Sequence, residues 1–442
     1  MNKNRLFPAL FVAILLVVEV YAQQSRTGPQ QFNYNVDLER VGTSKQRILA
    51  VDSLLQSFVD QKKVPNVTAF VAKAGNVVYK KSFGLKDVER NIPATPDDYY
   101  ILFSQTKAIT TVAFMTLVEK GLVNIDDPVS KYFPGISDRV ITEVRNDGTY
   151  ETRPAAGPVT FVHLMSHSSG LNAGLAGNIR RIEKRMADSV RKAKGDTSVA
   201  PVMGQRTGGA GTARYLKDEM IALAKYPLGF DPGSEWNYHI STNMLAYMVE
   251  RISGKSLRQY VKETILEPLG MSQTDWYYSR EKLGRFVKVY NYVNGKLEPA
   301  PNNYSEATVS KEQTYVEGAI GLNGPIEDYA KFCQMLLNGG TFNGHSILKP
   351  ETIHLMTKVN RLPEVNAGGK GFQFGLGFEL YNEHKKPAPE VSNTAYSWGG
   401  LFGTEYIIDP EKNMITLFYL NMARKEALAP LFISKAYQLF EK

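Results

Sequence analysis

Strand-forming sequence gathers at the two ends of this 442-residue chain, and that separation limits the folds open to it. Near the start, Val67-Thr68-Ala69-Phe70-Val71-Ala72 and Val77-Val78-Tyr79-Lys80-Lys81-Ser82-Phe83 flank Lys73-Ala74-Gly75-Asn76, which predicts a β-hairpin. Near the end, Phe374 to Leu380, Thr394 to Trp398, Thr404 to Ile408 and Met414 to Leu420 read as strands, the last two joined through Asp409-Pro410-Glu411-Lys412-Asn413. The middle is mainly helical. The two groups of strands join into one sheet only if that middle is an inserted lobe. A site between sheet and insertion follows, because pockets favour lobe interfaces. The expected class is α/β (α+β), an antiparallel sheet flanked by helices. Its sheet lobe takes about 45–98 and 300–442, its helical lobe about 99–299.

Between Ser44 and Lys63, Ile48, Val51, Leu55 and Phe58 recur at helical spacing. Further helices are expected from Thr242 to Ile252, stopped by Gly254, then over Leu257 to Ile265, around Cys333, and from Ala427 to Phe440. A short helix is expected within 159–171, ending at Gly170, and a second hairpin around Asn146-Asp147-Gly148. Residues 172–215 are basic and punctuated by glycine, the pattern of a lid or a disordered loop.

Residues 1–22 stand apart. Lys3 and Arg5 precede an apolar run from Leu6 to Val18 and a small-residue ending, Val20-Tyr21-Ala22, which is the pattern of a secretory signal peptide. The run is too short to span a bilayer. The expectation is an exported protein, periplasmic or extracellular, with no stable membrane insertion after cleavage and a polar, loosely attached extension over 23–44. Loss of the first 22 residues lowers the net charge from +8 to +7. Arg180, Arg181, Lys184, Arg185, Arg191, Lys192 and Lys194 carry much of the excess, and the expected reading is a solvated face rather than a nucleic-acid module. The single cysteine, Cys333, excludes intrachain disulfides and fits core packing.

Chemistry enters at Ser104-Gln105-Thr106-Lys107. Residues three apart share a helix face, so the hydroxyl of Ser104 and the amine of Lys107 meet. A serine needs a base to become nucleophilic, and a lysine serves once burial lowers its usual value of about 10.4. The same spacing occurs at Ser189–Lys192, Ser279–Lys282 and Ser346–Lys349, but only Ser104 precedes a long apolar run, Ala108 to Val118, able to bury its lysine. His163 and His167 stand four apart without the glutamate of a zinc-protease motif, and G-x-S-x-G is absent. No metal and no cofactor is expected.

The order of motifs resembles the serine β-lactamase and penicillin-binding protein superfamily, in its class C-like branch with the family VIII carboxylesterases and D-amino-acid peptidases. The resemblance rests on Phe103-Ser104-Gln105-Thr106-Lys107; Gly121 through Asp126-Asp127-Pro128; Leu164-Met165-Ser166-His167-Ser168-Ser169-Gly170-Leu171; Pro232-Gly233-Ser234-Glu235-Trp236-Asn237-Tyr238; and Trp398-Gly399-Gly400-Leu401-Phe402-Gly403-Thr404. It covers nearly all of 45–440 and implies a β-lactamase/transpeptidase-like fold. Carried over by position, it implies Ser104 as nucleophile and Lys107 as its base. Tyr238 becomes the proton shuttle, its phenol eased by a neighbouring cation, Lys107. The backbone amides of Ser104 and Leu401 become the oxyanion hole. Trp398, Gly399, Gly400, His239 and Ile240 are implied as substrate-binding.

Two departures bear on the substrate. The family's Tyr-x-Asn reads Tyr238-His239-Ile240, and its Lys-Thr-Gly reads Trp398-Gly399-Gly400. Both remove groups suited to β-lactams and D-Ala-D-Ala peptides, and a cation from 180–194 would be needed to restore the lost charge. The leading expectation is an exported serine hydrolase of carboxylesterase type, acting on a small-molecule ester, amide or peptide through an acyl-serine. The alternatives are a D-stereospecific peptidase or weak β-lactamase, and a non-catalytic peptide- or glycan-binding protein on the same fold.

Overall fold

The computed structural model describes residues 28–145, 147, 149–179, 182, 215–300, 304–309, 314–362, 368–423 and 428–440. The expected signal peptide and all seven basic positions of 180–194 named above lie outside them, as does Ser189–Lys192.

Helix α1, Lys45–Asp60, starts where the Ser44 hydroxyl accepts the amide of Arg47 at 3.3 Å. Strands β1, Asn66–Lys73, and β2, Asn76–Asp87, form the predicted hairpin. Its turn places Ala74 and Gly75 at φ +48° and +76°, the left-handed pair that suits two-residue hairpins. A short β3, Ile92–Pro93, follows. After the middle of the chain come β4, Gln373–Phe374, β5, Glu379–Leu380, β6, Tyr396–Gly400, β7, Thr404–Asp409, and β8, Met414–Tyr419. All eight make one antiparallel sheet in the order β4-β5-β6-β7-β8-β1-β2-β3. The two ends of the chain meet at the β8–β1 pair, with Thr68 opposite Tyr419 and Val71 opposite Thr416.

Alternation along β1 sends Val67, Ala69 and Val71 to one face and Phe70 and Ala72 to the other. The first face is covered by α1, through Val51, Leu55 and Phe58, and by the closing helix Leu428–Tyr437, where Phe432 stacks on Phe418. The second face meets the central helices. Among these, α2, Thr106–Glu119, buries every residue from Thr106 to Leu117. A helix apolar all round belongs inside a core. Beside it lie α3, Phe161–Met165, α4, Ile240–Ser253, and α5, Ile326–Leu337. Helix α4 ends at Gly254 in the left-handed conformation, φ +71°. Cys333 is fully buried within α5.

Three expectations change. Residues 28–44 are not loosely attached: Phe32 packs on Phe70 and Phe342, Asn33 bridges to Asn76, and Asn338 donates to the Pro29 carbonyl at 2.8 Å. The helix expected to reach Gly170 stops at Met165. His167 turns out at φ +60°, and the backbone then bonds to a distant segment, Gly233 to Ser168 and Asn237 to His167. The stretch from Phe374 to Leu380 is not one strand, because Gly375 bonds back to Phe378 and Gly377 sits at φ +87°.

Candidate active site

Ser104 lies in a single 3-10 turn, Phe103–Gln105, that leads into α2. The turn is gripped from several sides. Leu102 donates to the Leu322 carbonyl at 3.1 Å, Tyr329 donates to the Gln105 carbonyl at 2.9 Å, and Tyr419 bonds the Gln105 side chain at 2.6 Å. These contacts hold Phe103 at φ +44°, a conformation that costs a non-glycine residue about 1–3 kcal/mol. Its ring meets Phe402 edge-on at 4.6 Å, which ties the serine turn to the end of β6.

One turn on, the Lys107 amine donates to Ser104 Oγ at 3.0 Å and to the Ala319 carbonyl at 2.8 Å, and lies 3.3 Å from His239 Nδ1. The side chain is 1% exposed. Burial pushes its value down to about 7, opposed by the charge of Glu317. Near neutrality much of it is therefore a neutral amine beside a serine hydroxyl. The other described pairs differ: Ser279–Lys282 lies in a 3-10 turn with no buried residue, and Ser346 is on an exposed hairpin.

Tyr238 stands on the other side of Ser104. Its phenol faces the Ser104 hydroxyl and accepts the indole N–H of Trp398 at 2.8 Å. The rings of His167, Trp398 and Trp236 enclose it at 4.7, 5.3 and 5.5 Å. Here the expectation of a phenol eased by Lys107 needs correction. The amine lies over the ring face, 4.5 Å from its centroid, and burial pushes Tyr238 up to about 12 against the opposing pull of Ser104 and Trp398. With its value held above the ordinary one, the phenol keeps its proton near neutrality. His167 is fully enclosed and held well below its ordinary value by burial and by the nearby Lys107 and His239, so it adds no charge.

Strand β6 forms the facing wall. Its outer edge pairs with β5 only through Tyr396 and Ser397, which leaves Trp398 to Gly400 open on that side. Gly400 has to be glycine, since a Cβ there would fall 2.3 Å from the Leu102 carbonyl oxygen. The cleft is about 420 Å3 and is lined by Ser104, Tyr238, Trp398, Gly399, Gly400 and Leu401 together with Glu379, Tyr381, Ser397 and Glu405. Glu405 is pushed up to about 7, first by burial and then by Glu379. Among the described residues no lysine or arginine lines this cleft.

The structure thus brings Ser104, Tyr238, Trp398, Gly399, Gly400 and Leu401 around one opening, with Lys107 buried against Ser104. Ile240, expected among the substrate-binding residues, is not there: it is 4% exposed and packs into the central core from the first turn of α4. His239 does not line the cleft either and turns to Lys107 instead. Sequence reasoning missed Asn243, Glu317 and Ala319, which meet behind the lysine. Asn243 accepts the Ala319 amide at 2.8 Å and donates to Glu317 at 3.1 Å. The one local signal was an acid inside the small, apolar run Val316-Glu317-Gly318-Ala319-Ile320.

This arrangement sits within a family seen by comparison. The Beta-lactamase family profile matches residues 51–431. The esterase EstB of Burkholderia gladioli is 25% identical over 405 residues, covering 87% of this chain and 93% of its own. The lovastatin esterase of Penicillium rubens is 27% identical over 362 residues, covering 80% and 83%. Among solved structures, EstCE1, described as a hydrolase with promiscuous acyltransferase activity, superposes with a TM-score of 0.69 at 22% identity, over 89% of this chain and 98% of its own. The chain belongs to the Beta-lactamase family.

Proposed function

We propose that this protein is a serine hydrolase that cleaves carboxylic esters through an acyl-serine on Ser104. The observation that carries the reading is the 3.0 Å contact between Ser104 Oγ and a buried Lys107 whose value is near 7. Lys107 takes the Ser104 proton as Oγ attacks the carbonyl carbon. The oxyanion forms opposite the amides of Ser104 and Leu401. As the C–O bond to the leaving group breaks, Tyr238 gives its proton to the departing alkoxide. The phenolate then takes a proton from an incoming water, whose hydroxide attacks the acyl carbon, and Lys107 returns its proton to Ser104 as the acid leaves. Two relatives named as esterases support the class of bond.

The lining favours an uncharged substrate. Trp398 supplies an aromatic face where a cation would meet a carboxylate, its N–H being committed to Tyr238, and Leu401 is 69% exposed at the lip. An acid-bearing β-lactam or peptide has no cationic partner among the described lining residues, which favours the ester over the peptidase or β-lactamase reading. The apolar run from Leu6 to Val18 supports export with cleavage after Ala22, which N-terminal sequencing of the secreted form would check.

The test is covalent. A fluorophosphonate probe is expected to label the protein on Ser104, and Ser104→Ala to abolish both labelling and hydrolysis of short-chain nitrophenyl esters. Label that persists on the alanine variant excludes this mechanism, and a cephalosporin turned over faster than the esters favours the β-lactamase reading. No adduct at all, with saturable peptide or glycan binding, favours a binding protein.

A further inference from the structure

We propose that His239 and Glu317 are positioning residues for the base, with the imidazole bridging the Lys107 amine and the Glu317 carboxylate so that the ammonium formed during acylation is held by a buried charge one ring away. The inference rests on Lys107 being the base.

The geometry is a closed circuit. His239 presents Nδ1 to the Lys107 amine at 3.3 Å and Nε2 to Glu317 Oε1 at 3.6 Å. The same carboxylate oxygen accepts the Asn243 amide at 3.1 Å, the Asn243 carbonyl accepts the Ala319 N–H at 2.8 Å, and the Ala319 carbonyl accepts from Lys107 at 2.8 Å. The circuit is fixed to the fold at two further points. Thr110 of α2 donates to the Gly318 carbonyl at 2.8 Å, and Gly318 lies so close to α4 that a Cβ would sit 2.3 Å from the Ala246 Cβ. His239 itself is held at φ +105°, ψ −68°, which an L-residue rarely adopts. That backbone turn carries its ring toward Lys107.

The Glu317 carboxylate, 3.6 Å from Nε2, favours the imidazole hydrogen on that side, which turns the Nδ1 lone pair toward the lysine. That lone pair can accept from an ammonium, and a neutral amine makes the weaker partner. The circuit therefore favours the charged lysine over the neutral one by a modest amount. Direct contact with Glu317 would keep the lysine protonated and useless as a base, and no carboxylate at all would make the ammonium too costly to form in a buried site. An interposed ring lies between these extremes. The other titratable groups packed around the circuit are Tyr238 and His167 beside the lysine, and Tyr315, bonded to Glu219, near Glu317.

The experiment measures the second-order rate of fluorophosphonate labelling against pH for the full-length protein, Glu317→Gln, His239→Gln and the double variant. The parent rate is expected to rise with a midpoint near 7. Glu317→Gln withdraws the negative charge, so the midpoint is expected to fall by half a pH unit or more while the plateau drops about tenfold. His239→Gln is expected to lower the plateau similarly, and the double variant to add little. Two single losses that multiply, or midpoints that stay in place, overturn the circuit and leave a packing role. His239 is 31% exposed, so its variant keeps the test open if the Glu317 variant fails to fold. A parent that labels normally with unmoved variant midpoints defeats this inference alone, and a parent that never labels defeats it together with the hydrolase reading.

Discussion

The two walls of the cleft handle burial in opposite ways. On the helix wall, Lys107 is 1% exposed, and its amine has Ser104, Ala319 and His239 within reach. On the strand wall, the backbone from Trp398 to Gly400 is open along one edge, Leu401 stands out in solvent, and behind them two carboxyls crowd each other. Each wall holds a group pushed to about 7, a lysine from above and a glutamate from below, by the same physical cause. The difference lies in the neighbours. The lysine is surrounded by groups that serve either of its charge states, whereas Glu405 is opposed by Glu379. The first arrangement is chemistry held at a cost in stability; the second is a cost with no proton acceptor in view.

The largest effect that tests this contrast comes from Lys107→Met. The folded value of this lysine lies below its unfolded one of 10.5, so the penalty for burying its charge is fully present below about pH 7 and disappears as pH rises past 10.5. The variant is expected to lose kcat/KM on the order of 10^3-fold, yet to be more stable at pH 7. The ceiling on that gain is about 5 kcal/mol, reduced to a few by the hydrogen bonds removed. Thermal melts at pH 7 and pH 10.5 should show the gain shrinking with pH; a variant less stable at pH 7 breaks the contrast. Next is Trp398→Phe, which keeps the ring and removes the donor to Tyr238. It is expected to lower kcat about tenfold with little change in melting temperature. Smallest is Glu405→Gln. A carboxyl whose folded value exceeds its ordinary 4.5 gives stability below 4.5 that is lost as pH rises through about 7. The glutamine variant should therefore be more stable by about 1–2 kcal/mol at pH 8, allowing for partial exposure, and no more stable at pH 4. Denaturant unfolding at the two pH values decides it.

What could be read in the sequence follows the range of the interactions involved. The serine and its lysine are three residues apart, and the apolar run that buries them is contiguous, so the helix wall was visible in a single window. The terminal strands carried their own period and turn residues, which foretold the β8–β1 closure. The direction of Ile240 was not visible, because it depends on how the first turn of α4 is rotated against the core. Nor was the circuit behind Lys107, since Asn243, Glu317 and Ala319 reach it from more than 130 residues away and the lone acid in the run 316–320 says nothing of its partner. For Tyr238 the sequence offered a nearby cation, Lys107, and concealed the aromatic neighbours whose burial raises the phenol instead.

The seam between β1 and β8 has a consequence for synthesis. Residues 104 and 107 leave the ribosome early, but the strand that completes their cleft is made almost 300 residues later, and β1 has no β8 to pair with until then. Until β6 and β8 have been made, the wall opposite Ser104 and Lys107 is missing, so the cleft takes shape only once the late strands join β1.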